Sequence, residues 1–188
     1  QHRVEAVRRI VRESALTLAI AAAVGTLAGT VLESRVESLI EGPWLLVLIP
    51  PFVATCGSLG GMLSSRLASK LHLGLFEPRL VPGRVALLDA SLTLLFGTFA
   101  FTALGVTALG WSTIAGHDPP MLLTLLGIAL LAGVISIVLL IAVAYTTAAA
   151  SYRFGLDPDN EGIPIVTSAM DLLGLLVLIG VVSLTGIG

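Results

Sequence analysis

The chain has 188 residues, of which 56% are hydrophobic and only 12% charged, with a formal net charge of -2 and a mean hydropathy of +1.02. An average soluble domain is about 25% charged, so a soluble globular fold is excluded. The absence of a basic stripe or aromatic-basic interleaving excludes a nucleic-acid binder. Cys56 is the single cysteine, which rules out an internal disulfide and a cysteine-rich metal site. It reads as a small apolar packing residue.

Residues 1–13 read as a juxtamembrane amphipathic segment, and residues 14–188 as one five-helix transmembrane domain. In the first segment Val4, Val7 and Val11 share one side and the arginines take the other, as in an anchor on anionic lipid. Gln1-His2-Arg3 has no starting methionine, as expected of a trimmed chain or a piece of a longer one. No secretory signal is expected, because the apolar stretch from Glu13 to Leu32 is too long and lacks a convincing cleavage site.

An apolar window of about 20 residues then finds five candidate spans. The first, Ser14 to Leu32, carries Gly25-xxx-Gly29, a pattern expected to pack against another helix. The second, Pro43 to Leu71, is expected to be interrupted. Pro51 cannot donate a backbone hydrogen bond, Pro50 is biased away from helical geometry by its successor, and Gly57-Ser58-Leu59-Gly60-Gly61 follows at membrane depth. A kinked helix packed through its glycines is the alternative. The third span, Ala86 to Trp111, has Asp89 near one end, read as a solvated end residue or an entrance ligand. The fourth runs from Pro120 to Ala149 and the fifth from Ile163 to Ile187. The fold class is therefore an all-α membrane protein.

Orientation follows from the basic residues. Arg3, Arg8, Arg9 and Arg12 precede the first span; Arg66, Lys70, Arg79 and Arg84 lie at or between the second and third; Arg153 lies between the fourth and fifth. Nine of the ten Lys and Arg thus fall on one side, with Arg35 alone on the other. The positive-inside rule makes that side cytoplasmic. The amino terminus is then inside, the carboxyl terminus outside, and the expected location is the plasma membrane.

The fifth span holds the residue with the sharpest consequence. Pro164, Thr167, Ser168, Asp171 and Gly174 recur at helical spacing and put polar groups on one face. At about 1.5 Å per residue from Ile163, Asp171 lies roughly 12 Å deep in a hydrocarbon core about 30 Å thick. A carboxylate at that depth faces a partner, a cavity or an ion path. A hydrogen bond between helices is the plainer alternative. Asp157-Pro158-Asp159-Asn160 forms an acidic mouth at the polar edge of the same span. His72 and His117 read as loop surface residues. No His or Cys grouping has metal-ligand spacing, no phosphate loop implies a nucleotide, and no nucleophile-base pair implies an enzyme.

These residues resemble a known family. Asp157-Pro158-Asp159-Asn160, Pro164 and Asp171-Leu172-Leu173-Gly174 look like the last-helix signature of the MgtE magnesium channels and their eukaryotic solute-carrier relatives. Gly57-Ser58-Leu59-Gly60-Gly61 leading to Ser64-Ser65-Arg66-Leu67 is similar to that family's second-helix motif. The resemblance implies a homodimer in the lipid bilayer, with an ion pore on the two-fold axis lined by the second and fifth helices. It maps the central ion site onto Asp171 and a cytoplasmic-side acid onto Asp157. Ser58 stands where the family usually has Asn, which shortens the reach of that oxygen. The soluble magnesium-sensing domains of bacterial members have no counterpart in these 188 residues.

The expected mechanism follows from charge. One chain offers one buried acid, and a parallel dimer offers two. Paired Asp171 carboxylates, with Thr167 and nearby carbonyls touching the ion's water, suit a largely hydrated Mg2+; Mn2+ and Co2+ are the next candidates. Asp157 and Asp159 concentrate cations at the inner mouth. Gly57, Ser58, Pro164, Ser168, Asn160 and Asp89 complete the expected lining. A sodium- or proton-coupled Mg2+ exchanger is the alternative function, and a non-conducting subunit of a larger transporter is a further one. An intramembrane aspartyl enzyme is the weakest, since Asp89 and Asp171 sit at different depths.

Overall fold

The computed structural model describes residues 2–35, 42–75, 83–118, 120–154 and 161–186. The chain forms helices α1 (His2–Glu33), α2 (Pro43–His72), α3 (Arg84–Ile114), α4 (Leu122–Phe154) and α5 (Ile163–Thr185). All five contain a stretch long and apolar enough to cross a membrane, in α1 the part from Ser14 to Glu33. Even the 23 residues of α5 span about 35 Å, more than the hydrocarbon core. The expected spans match these helices to within a few residues. The expected amphipathic lead and the first span form one continuous helix, with no break near residue 13.

Local chemistry explains where the helices start and stop. α2 opens with Pro43 and α5 with Pro164 in the first turn, where the missing N–H has no intrahelical partner to lose. α2 ends on Gly74 at φ +67°, with Gly74 N–H donating to Leu71 O and Leu75 N–H to Lys70 O. α3 ends the same way on Gly116 at φ +78°, with His117 N–H donating to Ser112 O. Both are Schellman closures, which need a left-handed residue that glycine supplies without a Cβ penalty.

The expected interruption of the second helix is absent. α2 is helical from Pro43 to His72, straight through Pro50 and Pro51. Those prolines deprive the Leu46 and Val47 carbonyls of their usual donors. The helical turns on either side continue, and Thr55 Oγ1 donates to Pro51 O at 2.7 Å. Helix geometry needs only those two bonds missing, not a break.

Glycines set the helix spacing. On α3 and α4 the contacts run in opposite order along the two helices: Gly97 receives Ile137, Gly133 receives Phe101, and Gly105 receives Leu126. A Cβ on Gly133 would lie 2.5 Å from the Phe101 ring. On α2 and α5 the order is also reversed: Cys56 meets Gly174, Gly57 meets Asp171, Gly60 meets Val166, and Gly61 meets Thr167. Both pairs are therefore antiparallel. Such close backbone approach is the usual basis of helix association in lipid, where apolar burial alone gives no driving force.

α2, α4 and α5 form the centre, with α3 against α2 and α4. Phe52, Leu63, Leu140, Met170 and Leu178 are fully buried between them, and the Phe52 and Phe101 rings lie 4.8 Å apart. α1 packs on α5. The expected packing through Gly25 and Gly29 is not made among the described residues, since a Cβ on either would meet nothing within 4 Å.

Candidate functional site

Asp171 stands two turns into α5, on the face turned to α2, and its side chain is partly buried. Its carboxylate lies directly on the α2 backbone: a Cβ built on Gly57 would be 2.6 Å from Asp171 Oδ1 and 3.8 Å from the Thr167 carbonyl oxygen. Gly57 itself is midway along α2. The acid therefore lies beside the midpoint of α2 and about a third of the way along α5. Among the described residues no lysine or arginine pairs with it.

Thr167 lies one turn before Asp171 and is also partly buried. Its hydroxyl donates back to the Ile163 and Pro164 carbonyls, both at 3.0 Å. Donation uses the proton and leaves lone pairs able to accept from water or to face a cation. Its methyl meets Gly61, where a Cβ would lie 3.4 Å from Cγ2. Pro164 and Ser168 are half-buried on the same helix, Gly57 is buried, and Ser58 is exposed on α2. The structure thus brings Asp171, Thr167, Gly57 and Gly61 into one α2–α5 seam.

Asp89 has a different place. The reading of it as a solvated end residue fails: its side chain is 5% exposed and takes the Lys70 ammonium at 2.5 Å, while the lysine side chain is 29% exposed. A carboxylate near a helix end is solvated only if no neighbouring helix covers it, and the last turns of α2 cover this one. The pairing also occupies the charge that an entrance ligand would need. Lys70 was counted from sequence only as an orientation marker. The signal available was its place in the last turn of α2, just before the turn into α3. Asp157, Asp159 and Asn160 lie outside the described residues.

Cys56 is 1% exposed, in line with its reading as a packing residue. Its thiol fills the notch at Gly174, where a Cβ would be 2.8 Å from Sγ. Among the described residues no group of three or more His, Cys, Asp or Glu converges. One carboxylate, a hydroxyl and backbone carbonyls form a hard-oxygen set, the kind that suits Mg2+, Ca2+ or Mn2+ over softer ions. A separate apolar cavity of about 300 Å³ lies between α2 and α3, lined by Val47, Pro51, Leu104, Thr107, Ala108 and Trp111.

The model of the MgtE family, described as a divalent cation transporter, matches residues 49–181. That range contains α3 and α4 whole and most of α2 and α5. The chain is also 28% identical over 144 residues to solute carrier family 41 member 3 of Mus musculus, covering 71% of this chain and 28% of that protein. The Rattus norvegicus counterpart is likewise 28% identical over 144 residues, with 29% of its length covered. The chain therefore spans under a third of the length of these relatives. No solved structure gives a significant match.

Proposed function

The chain belongs to the MgtE family of divalent cation transporters, and we propose from that premise that it moves Mg2+ across the membrane past Asp171. One observation carries the proposal: a carboxylate, unpaired with any described basic residue, held between two packed apolar helices. A lone ionised acid in hydrocarbon is expensive, and a cation on its path offsets that.

The working unit is a parallel homodimer in the bilayer with its pore on the two-fold axis. Two copies bring two Asp171 carboxylates together, which repel one another until a divalent ion lies between them. Mg2+ sheds water reluctantly and is commonly held by one or two carboxylates with waters kept. The Thr167 hydroxyl and nearby carbonyls then contact the ion's water. Ser58, Pro164 and Ser168 line the route. Asp157, Asp159 and Asn160 form the cytoplasmic mouth, consistent with an amino terminus inside the cell. Mn2+ and Co2+ are secondary cargo. No bond is made or broken.

Coupled exchange is the second reading, favoured by the kinship to a protein named as a solute carrier. Reconstitution separates the two. Purified protein in liposomes is expected to pass Mg2+ without sodium or proton gradients, and strict dependence on either gradient selects the exchanger. Asp171→Ala is expected to reduce flux to background while the protein remains folded. Normal flux in that variant refutes the proposal.

A further inference from the structure

We infer that Gly57 is a positioning residue for the Asp171 carboxylate, and that its missing side chain sets the preference for Mg2+ over larger divalent ions. The inference rests on the reading of Asp171 as the ion site and adds a specificity determinant on a different helix. The geometry is unusual among the helix contacts of this protein. The other close glycines receive an aromatic ring, an alkyl group, a thiol or a threonine methyl, as with Phe101 at Gly133, Ile137 at Gly97, Val166 at Gly60, Cys56 at Gly174 and Thr167 at Gly61, or, at Gly162, the uncharged Ser64 hydroxyl at 3.4 Å. At Gly57 the group received is a carboxylate oxygen, with Oδ1 2.6 Å from where a Cβ would stand.

Carbon–oxygen contacts do not close much below about 3.3 Å. Any side chain at residue 57 therefore drives that oxygen away by several tenths of an ångström. The aspartate side chain is short, so it yields by turning about its own bonds, and the carboxylate leaves its present direction. Gly57 thus leaves the notch that the oxygen occupies, and so sets where it points. In a two-fold site the displacement occurs twice, which changes the width offered to the ion.

Mg2+ is the divalent ion least tolerant of such a change. It demands near-ideal octahedral geometry, whereas Ca2+ accepts six to eight oxygens in flexible arrangements. A carboxylate pushed off Gly57 therefore harms Mg2+ more than Ca2+. Loss of one well-placed charged contact amounts to about a tenfold change in affinity.

The test compares Gly57→Ala, Gly60→Ala and Asp171→Ala in liposomes, with Mg2+ and Ca2+ flux measured over a concentration series. Gly60→Ala crowds Val166 and Met170 in the same α2–α5 seam without touching a polar group. Gly57→Ala is expected to weaken half-saturation by Mg2+ about tenfold and to lower the Mg2+:Ca2+ preference by a similar factor. Gly60→Ala is expected to leave that preference unchanged. An unchanged preference in Gly57→Ala, with Asp171→Ala inactive, overturns the inference and leaves the ion-site reading standing. An equal shift in Gly60→Ala overturns it too, as general helix spacing then explains the effect. Wild-type flux in Asp171→Ala removes the ion-site reading and the inference with it. If Gly57→Ala does not fold, the double variant Gly57→Ala/Asp171→Ala decides. Removing the carboxylate removes the 2.6 Å contact, so the double variant is expected to melt within about 2 °C of Asp171→Ala. Failure of the double variant to fold overturns the inference.

Discussion

Asp171 and Asp89 are both acids within long apolar helices, yet their surroundings assign them opposite parts. Asp89 meets Lys70 and is neutralised by it; Asp171 meets a glycine and no described basic residue. The Lys70–Asp89 pair has unequal partners, which makes a checkable asymmetry. Lys70→Met leaves a carboxylate that is 5% exposed without its counter-charge, and is expected to destabilise by about 3 kcal/mol. Asp89→Asn leaves a lysine that is already 29% exposed and long enough to reach water, and is expected to lower stability by only about 1 kcal/mol. Thermal melts of both variants in detergent check the order, and a reversed order would show that the pair does not carry the α2–α3 contact. If Asp157 stands at the proposed cation entrance, Asp157→Asn is expected to slow Mg2+ flux far less than Asp171→Ala, because attraction at an entrance raises local concentration without holding the ion. Equal losses in a flux assay would reverse that ranking.

Between helices, the decisive features are the notches. Gly133→Ala forces a Cβ into the Phe101 ring, an overpacking expected to remove about 1–3 kcal/mol of stability. Gly29→Ala adds a methyl to open space and gains helix propensity, so it is expected to be neutral or stabilising by up to about 1 kcal/mol. Melting of the two variants side by side tests this, and a large loss from Gly29→Ala would mean that a second copy covers α1. The sequence held the glycines but not their partners. Gly25 and Gly29 carry the spacing most suggestive of packing and touch nothing within 4 Å, whereas Gly97 and Gly133 carry no such motif and make the tightest contacts between α3 and α4. Spacing along one helix states where a backbone can approach; it is silent on which helix arrives. The same limit explains Pro50 and Pro51. Their missing donors were legible, but whether α2 would break there or run on was decided by its packing among the other helices.

For the whole molecule, cargo binding is expected to appear as stability. A ligand bound only by the folded state adds about 2.7 kcal/mol at one hundred times its Kd. Saturating Mg2+ is therefore expected to raise the melting temperature of the wild-type protein, chelation to reverse the rise, and Asp171→Ala to abolish it. A rise of equal size in Asp171→Ala would put the main ion site elsewhere. The chain's own letters determined its membrane class and the five spans, because transfer from water to hydrocarbon is a sum over local composition. Only the tertiary structure decided that Asp89 belongs to Lys70, that Asp171 rests on Gly57, and that Gly25 and Gly29 of α1 have open space beside them among the described residues. Those outcomes depend on the rotation and register of one helix against another, and contacts between residues distant in the chain have no local pattern to announce them.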